Sequence, residues 1–175
     1  MTSSALFEQV LGAAFSDVPP TLHALHSGSR RWRGEAVVER GAGLWSRCAA
    51  WMTRLPPAGE HAVIVDIAVD AAGERWVRRY GAAHAMPSRL WWARDALRER
   101  LGPFVFTYRI TVEHAAILWR VASIRVCGIL PLPARWFVGV QAREYEAANR
   151  YRFDVRAELP MIGLLVHYRG WLEPA

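Results

Sequence analysis

From His61 to Trp171 the apolar residues recur at every second position, and no other feature constrains the fold of this chain as much. A period of two belongs to the β-strand, whose side chains point alternately to opposite faces. Phe104, Phe106, Tyr108, Ile110 and Val112 alternate without a break, and Tyr151, Phe153 and Val155 oppose Arg150, Arg152, Asp154 and Arg156. His61–Asp70 and Glu74–Tyr80 flank the turn Ala71-Ala72-Gly73 and predict a hairpin. Further strands are expected over Met86–Trp92, His114–Val126, Trp136–Glu146, Arg150–Glu158 and Met161–Trp171. The stretch Arg94–Leu101 fits a short helix or a polar strand end, and Gly102-Pro103 and Pro131-Leu132-Pro133 punctuate the series.

Ahead of this run the period is mostly helical. Ser4–Gly12 sets Leu6, Val10 and Leu11 behind a serine cap, and Asp17 is placed to cap a second short helix through Leu22 and Leu25. Arg31–Glu39 is expected as a strand. Gly43–Leu55 is the clearest helix, with Leu44, Cys48, Trp51 and Leu55 forming one apolar stripe before Pro56-Pro57 stops it. A long antiparallel meander must curl or close to hide its edges. The expected class is therefore α+β and mainly antiparallel β: a curved sheet or a closed or half-open barrel of about eight or nine strands, with two or three helices in the N-terminal third. Residues 1–175 make one domain, with 1–29 a helical segment and 30–175 a β-rich body carrying a helix at about 43–55.

Composition excludes more than it suggests. All 22 basic residues are arginine and none is lysine, which closes Schiff-base chemistry and the P-loop to this chain acting alone. The arginines behind the +6 net charge are scattered, with Arg30-Arg31-Trp32-Arg33 the densest group, so a nucleic-acid partner is not expected. No stretch approaches the ~20 apolar residues of a bilayer helix, and no membrane partner is expected. The opening Met1–Glu8 lacks the marks of a signal peptide, and Cys48 and Cys127 fit reduced, buried thiols, so a cytoplasmic location is expected.

The chain shows no GxSxG, HExxH, GxGxxG or EF-hand pattern, and no metal or cofactor is expected. His23 and His26 fall at i and i+3, and two histidines on the surface of a helix are the plain reading. Nine tryptophans point to core filling or to an aromatic-walled pocket; Trp32, Trp76, Trp119, Trp136 and Trp171 are placed in strands. Charges on apolar strand faces supply the candidate polar lining. Glu144 shares parity with Val138, Val140 and Ala142; Arg120 with Leu118, Ala122 and Ile124; Arg78 lies between Trp76 and Tyr80; Tyr168 follows Ile162, Leu164 and Val166. Arg78, Trp76, Tyr108, Arg120, Glu144 and Tyr168 are thus the candidate ligand-binding residues, with Glu144 and Tyr168 the candidates for acid–base work. An inward Glu144 would want an inward arginine as partner.

Several ordered motifs resemble the bacterial domain-of-unknown-function family 4166. They are Leu55-Pro56-Pro57-Ala58-Gly59, Trp76-Val77-Arg78-Arg79-Tyr80-Gly81, Leu97–Phe104, Pro131-Leu132-Pro133, Glu144, Tyr151–Val155 and Leu159–Gly170. Members of that family occur alone or fused behind a saccharopine-dehydrogenase-like, NAD(P)-binding reductase domain. The resemblance implies an accessory domain near small-molecule metabolism and supplies no catalytic residues; this chain lacks the fused reductase, which leaves open a stand-alone role or a reductase partner in trans.

The function expected is a domain that binds a small, mostly apolar ligand, neutral or anionic, in an aromatic-lined pocket. Two alternatives stay open: a metal-independent cyclase, isomerase or hydrolase in the same pocket, and a module that docks on a reductase.

Overall fold

The structure is a computed structural model that describes residues 6–175. Eleven antiparallel strands dominate it: β1 (Arg30–Arg40), β2 (Gly59–Asp70), β3 (Gly73–Tyr80), β4 (His84–Ala93), β5 (Ala96–Leu101), β6 (Phe104–Glu113), β7 (Ala116–Val126), β8 (Leu130–Leu132), β9 (Gly139–Ala147), β10 (Arg150–Leu159) and β11 (Gly163–Pro174). Ten close a ring in the order β1-β2-β3-β4-β5-β6-β7-β9-β10-β11, with β11 paired back onto β1. The short β8 pairs with the far end of β7, where β9 does not reach. Closure satisfies the edges that an open meander would leave bare. The strand count exceeds the expected eight or nine because Arg94–Leu101, left between helix and strand, supplies β5, and because β8 is a separate short piece.

The N-terminal segment plugs one end of the barrel. Helix α1 (Leu6–Leu11), a 3-10 turn (Gly12–Asp17) and helix α2 (Pro20–His26) bury Phe7, Leu22 and Leu25 completely. The expected Ser4 cap lies outside the described residues. Asp17 does not cap α2; the N-cap is Pro19, with Pro20 in the first turn. The exposed donors of that turn are met from the barrel, since the Thr21 backbone N–H and hydroxyl both donate to Glu146 Oε2, at 3.3 and 2.8 Å. A long-range carboxylate has taken the place of a local cap.

Helix α3 (Leu44–Thr53) lies over the other end, with its apolar stripe turned away from the barrel. Ser46, Ala50 and Thr53 face the barrel, and Ser46 Oγ donates to the Leu165 carbonyl at 3.1 Å. The stripe Leu44, Cys48 and Trp51 faces outward. Gly102, in the β5–β6 turn at φ +57°, passes so close beneath α3 that a Cβ there would run into the Met52 carbonyl oxygen. Trp136, expected in a strand, sits in a 3-10 turn (Ala134–Phe137) at the same end.

Outward strand positions carry charge pairs such as Asp66 with Arg31 and Arg79, and Glu39 with Arg169. Such pairs suit a solvated face and add little stability. Cys48 and Cys127 are free, as expected, but both are exposed rather than buried. No helix among the described residues is long and apolar enough to cross a membrane.

Candidate functional site

The barrel is hollow between the plug and α3, enclosing a cavity of about 450 Å³. Its lining runs out to the exposed Trp45, Trp136 and Ile162, so it opens beside α3. Two features of the sequence leave it empty. Ten strands give a wider ring than eight, and β9 and β10 turn Val140, Ala142, Val155 and Ala157 inward, which are too small to reach across.

The lining is mostly apolar; besides Thr53 and Gln141, its polar groups gather in one cluster at middle depth and one at the base. In the first, Arg78 Nη1 donates to Ser88 Oγ at 2.9 Å and lies 3.5 Å from Glu99 Oε1. Tyr108 donates its hydroxyl to Glu99 Oε2 at 3.2 Å. The Arg78 guanidinium also stacks 4.9 Å over Trp76. Tyr80 and Tyr168 meet edge to face at 6.2 Å beside them. Burial pushes Tyr168 up to about 12, against the pull of Arg78, and lifts Tyr80 and Tyr108 well above the ordinary phenol range. At neutral pH these phenols are protonated, and Tyr108 uses its proton on Glu99.

At the base, where the plug meets the lumen, His26 Nε2 donates to Glu144 Oε2 at 2.6 Å. The imidazole stacks on Phe7 with ring centres 3.6 Å apart. Beside it, Trp76 Nε1 donates to Glu74 Oε2 at 2.8 Å. Burial raises the Glu74 carboxyl above its ordinary value, and the Trp76 hydrogen bond opposes this in part. The native state therefore holds the Glu74 proton more tightly than the unfolded chain does. Stability is expected to fall as pH rises from about 4.5, the ordinary value, through the raised native value, and then to level off. Glu74→Gln keeps an acceptor for Trp76 and removes the ionisation, so urea denaturation across this range should lose that slope.

Trp76, Arg78, Tyr108, Glu144 and Tyr168 converge on the lumen as their parity predicts. Arg120 does not. It lies on the outer face, its side chain 52% exposed and 3.0 Å from Glu113. The cause is a β-bulge in β7: Thr107 pairs with Ser123 and Tyr108 with Val121, which leaves Ala122 unpaired. Inward residues thus step from Ile117 and Trp119 to Val121 and then to Ile124, and a parity drawn through Ala122 joins two faces.

Two further corrections concern the base. Glu144 is buried, but its partner is the His26 imidazole and not an arginine. His26 is correspondingly not a surface residue; it is 1% exposed. Sequence reasoning also missed Glu99, Tyr80 and Tyr151 as lumen groups, and the buried Glu74 behind Trp76. Glu99 shares parity with Leu97 and Leu101, a signal that was available once 96–101 is read as a strand.

The fold resembles that of a protein of unknown function from the DUF3598 family of Nostoc punctiforme, at 12% identity and a TM-score of 0.52. That match covers 99% of this chain and 50% of the Nostoc protein, so the chain spans half the length of that relative. Rv2717c of Mycobacterium tuberculosis is similar at 12% identity and a TM-score of 0.47, over 90% of this chain and 99% of that one. No curated protein matches the sequence. The profile of the family described as Domain of unknown function (DUF4166) matches residues 18–172.

Proposed function

The chain belongs to the DUF4166 family, and within that family we propose that it binds one small, mostly apolar molecule carrying a single hydrogen-bonding head group. The observation that carries this reading is the lumen itself: about 450 Å³ of apolar space with one polar cluster part-way down. Ligand sites commonly combine an apolar wall with a few convergent polar groups. The charge balance narrows the head group. Arg78 is already faced by Glu99, and Glu144 by His26, so among the described residues of the lining no cation is left over for a carboxylate. A neutral hydroxyl or carbonyl suits the protonated Tyr80 and Tyr168 better, and it would sit beside Arg78 without displacing its partner. This favours the neutral form of the expected ligand over the anionic one.

Native mass spectrometry of the purified protein should reveal a co-purified adduct, and N-phenyl-1-naphthylamine should bind saturably with a rise in its fluorescence. A clean protein mass together with no saturable uptake of that probe would overturn the reading.

One observation favours a second reading, that of an enzyme. Burial and the neighbouring Glu144 raise the Tyr151 phenol well above its ordinary value, Glu144 is held by His26, and both Tyr151 and Glu144 border the lumen. Such a chain could move a proton to or from a bound molecule. Recovery of an altered compound after incubation, lost in Glu144→Gln, would support it.

A further inference from the structure

The α3 end of the barrel carries apolar surface that the chain does not cover. Trp51 is 83% and Trp45 67% exposed on α3, and Leu44 and Met52 lie on the same outward side. Around the mouth, the turns after β7 and β10 add Ile129, Leu130, Met161 and Ile162, and Trp136 and Val138 stand between β8 and β9. These residues come from four separate segments brought to one end of the barrel, and the cavity opens among them. A soluble domain has no reason of its own to turn the apolar stripe of a helix away from its core.

The charges around this surface indicate what it meets. Residues 41–58, 101–104, 126–139 and 159–163, which build the rim, hold Arg47, Arg54 and Arg135 and not one carboxylate. All three arginines are exposed, and none is in a salt bridge with a described residue. The nearest carboxylates in sequence are Glu39, Glu60, Glu99 and Glu158; Glu39 and Glu158 are paired with Arg169 and Arg156, and Glu99 faces the lumen. Elsewhere on the outer face arginines stand among carboxylates, several of them paired, as Arg31 with Asp66 and Arg89 with Asp70, and others, as Arg30 and Arg109, not paired with any described residue.

We propose that this rim docks on an anionic lipid bilayer, with its tryptophans at the headgroup level, its aliphatic side chains below them and the three arginines against lipid phosphates. Indoles suit the interface between water and hydrocarbon, and each arginine near such a surface adds attraction. Docking in this pose points the cavity mouth at the membrane. The expectation of no membrane partner rested on the lack of a spanning segment, and a docked rim needs none. The docking itself stands on rim residues alone, whereas exchange of a ligand with the bilayer rests also on the binding reading above.

Flotation of the full chain with phosphatidylcholine vesicles containing phosphatidylglycerol tests the inference, with pure phosphatidylcholine vesicles as the comparison. Binding is expected to the anionic vesicles, with a blue shift of tryptophan emission, and to weaken as salt is added. Leu44→Ser with Trp51→Ser should weaken it by about tenfold or more, each indole and aliphatic group removed costing buried area. Arg47→Gln with Arg54→Gln and Arg135→Gln should remove the preference for anionic lipid. None of these residues apart from their neighbourhood enters the polar clusters of the lumen, so uptake of N-phenyl-1-naphthylamine should persist in both variants. Failure to float with anionic vesicles overturns the docking, as does equal binding by the Leu44→Ser, Trp51→Ser variant. A concentration-dependent dimer that ignores vesicles, and that the same variant dissolves, would assign the rim to a second copy instead. Loss of probe uptake in wild type with flotation intact would sink the binding reading and leave the docking standing.

Discussion

A Val155→Trp variant is expected to fold and to take up no detectable N-phenyl-1-naphthylamine. Val155 stands in the middle of the lumen wall, paired with Ala142 on one side and Tyr168 on the other. An indole at that position would project into the space that the small residues of β9 and β10 leave open. Adding bulk to a filled core costs about 1–3 kcal/mol; here the addition enters a void of about 450 Å³, so the penalty should fall at the low end. Affinity for the probe should drop by about a hundredfold, corresponding to roughly 2.8 kcal/mol. Thermal denaturation gives the control, since a variant that stays folded yet does not bind has lost the cavity and nothing else. Tyr168→Phe supplies the polar counterpart. It keeps the ring and removes one donor, and it should leave an apolar probe unaffected while weakening any co-purified ligand that uses the head-group cluster. Wild-type uptake by Val155→Trp would place the probe on the rim rather than in the lumen.

The parts of this molecule legible in the sequence are those in which local pattern and final environment agree. Alternation in β6 and β10 fixed which side chains enter the lumen, and Trp76, Arg78 and Tyr80 could be assigned to one face from spacing alone. Closure could be expected from the unprotected edges of a long meander, although the ring partner of β1 could not. The misreadings have separate physical causes. Arg120 was misplaced because a bulge at Ala122 shifts parity by one residue, and a bulge leaves no dependable mark in an apolar strand. The direction of the α3 stripe is not legible, because amphipathic spacing shows that a helix has an apolar side, not which way it points. His26 was missed because its partner, Glu144, is 118 residues away. Pairings at that range are set by how the plug enters the barrel, which no local window contains.

That entry can be tested at His26, where His26→Ala should destabilise the fold by about 3–5 kcal/mol and lower Tm by roughly 10 °C. Three losses combine. The buried imidazole leaves a void, the Phe7 ring loses the partner stacked at 3.6 Å, and the buried Glu144 carboxylate loses its 2.6 Å partner. Glu144→Gln retains an acceptor and should cost less. In the double variant His26→Ala, Glu144→Ala no carboxylate is stranded, so its loss should fall short of the sum of the two alanine variants, and the shortfall measures the coupling of plug to barrel. Additive losses would show that His26 acts by packing alone. Because α2 closes the lumen opposite its mouth, loosening it should also speed release of the bound probe. A cavity held shut by this contact predicts faster dissociation in His26→Ala at temperatures well below its melting transition.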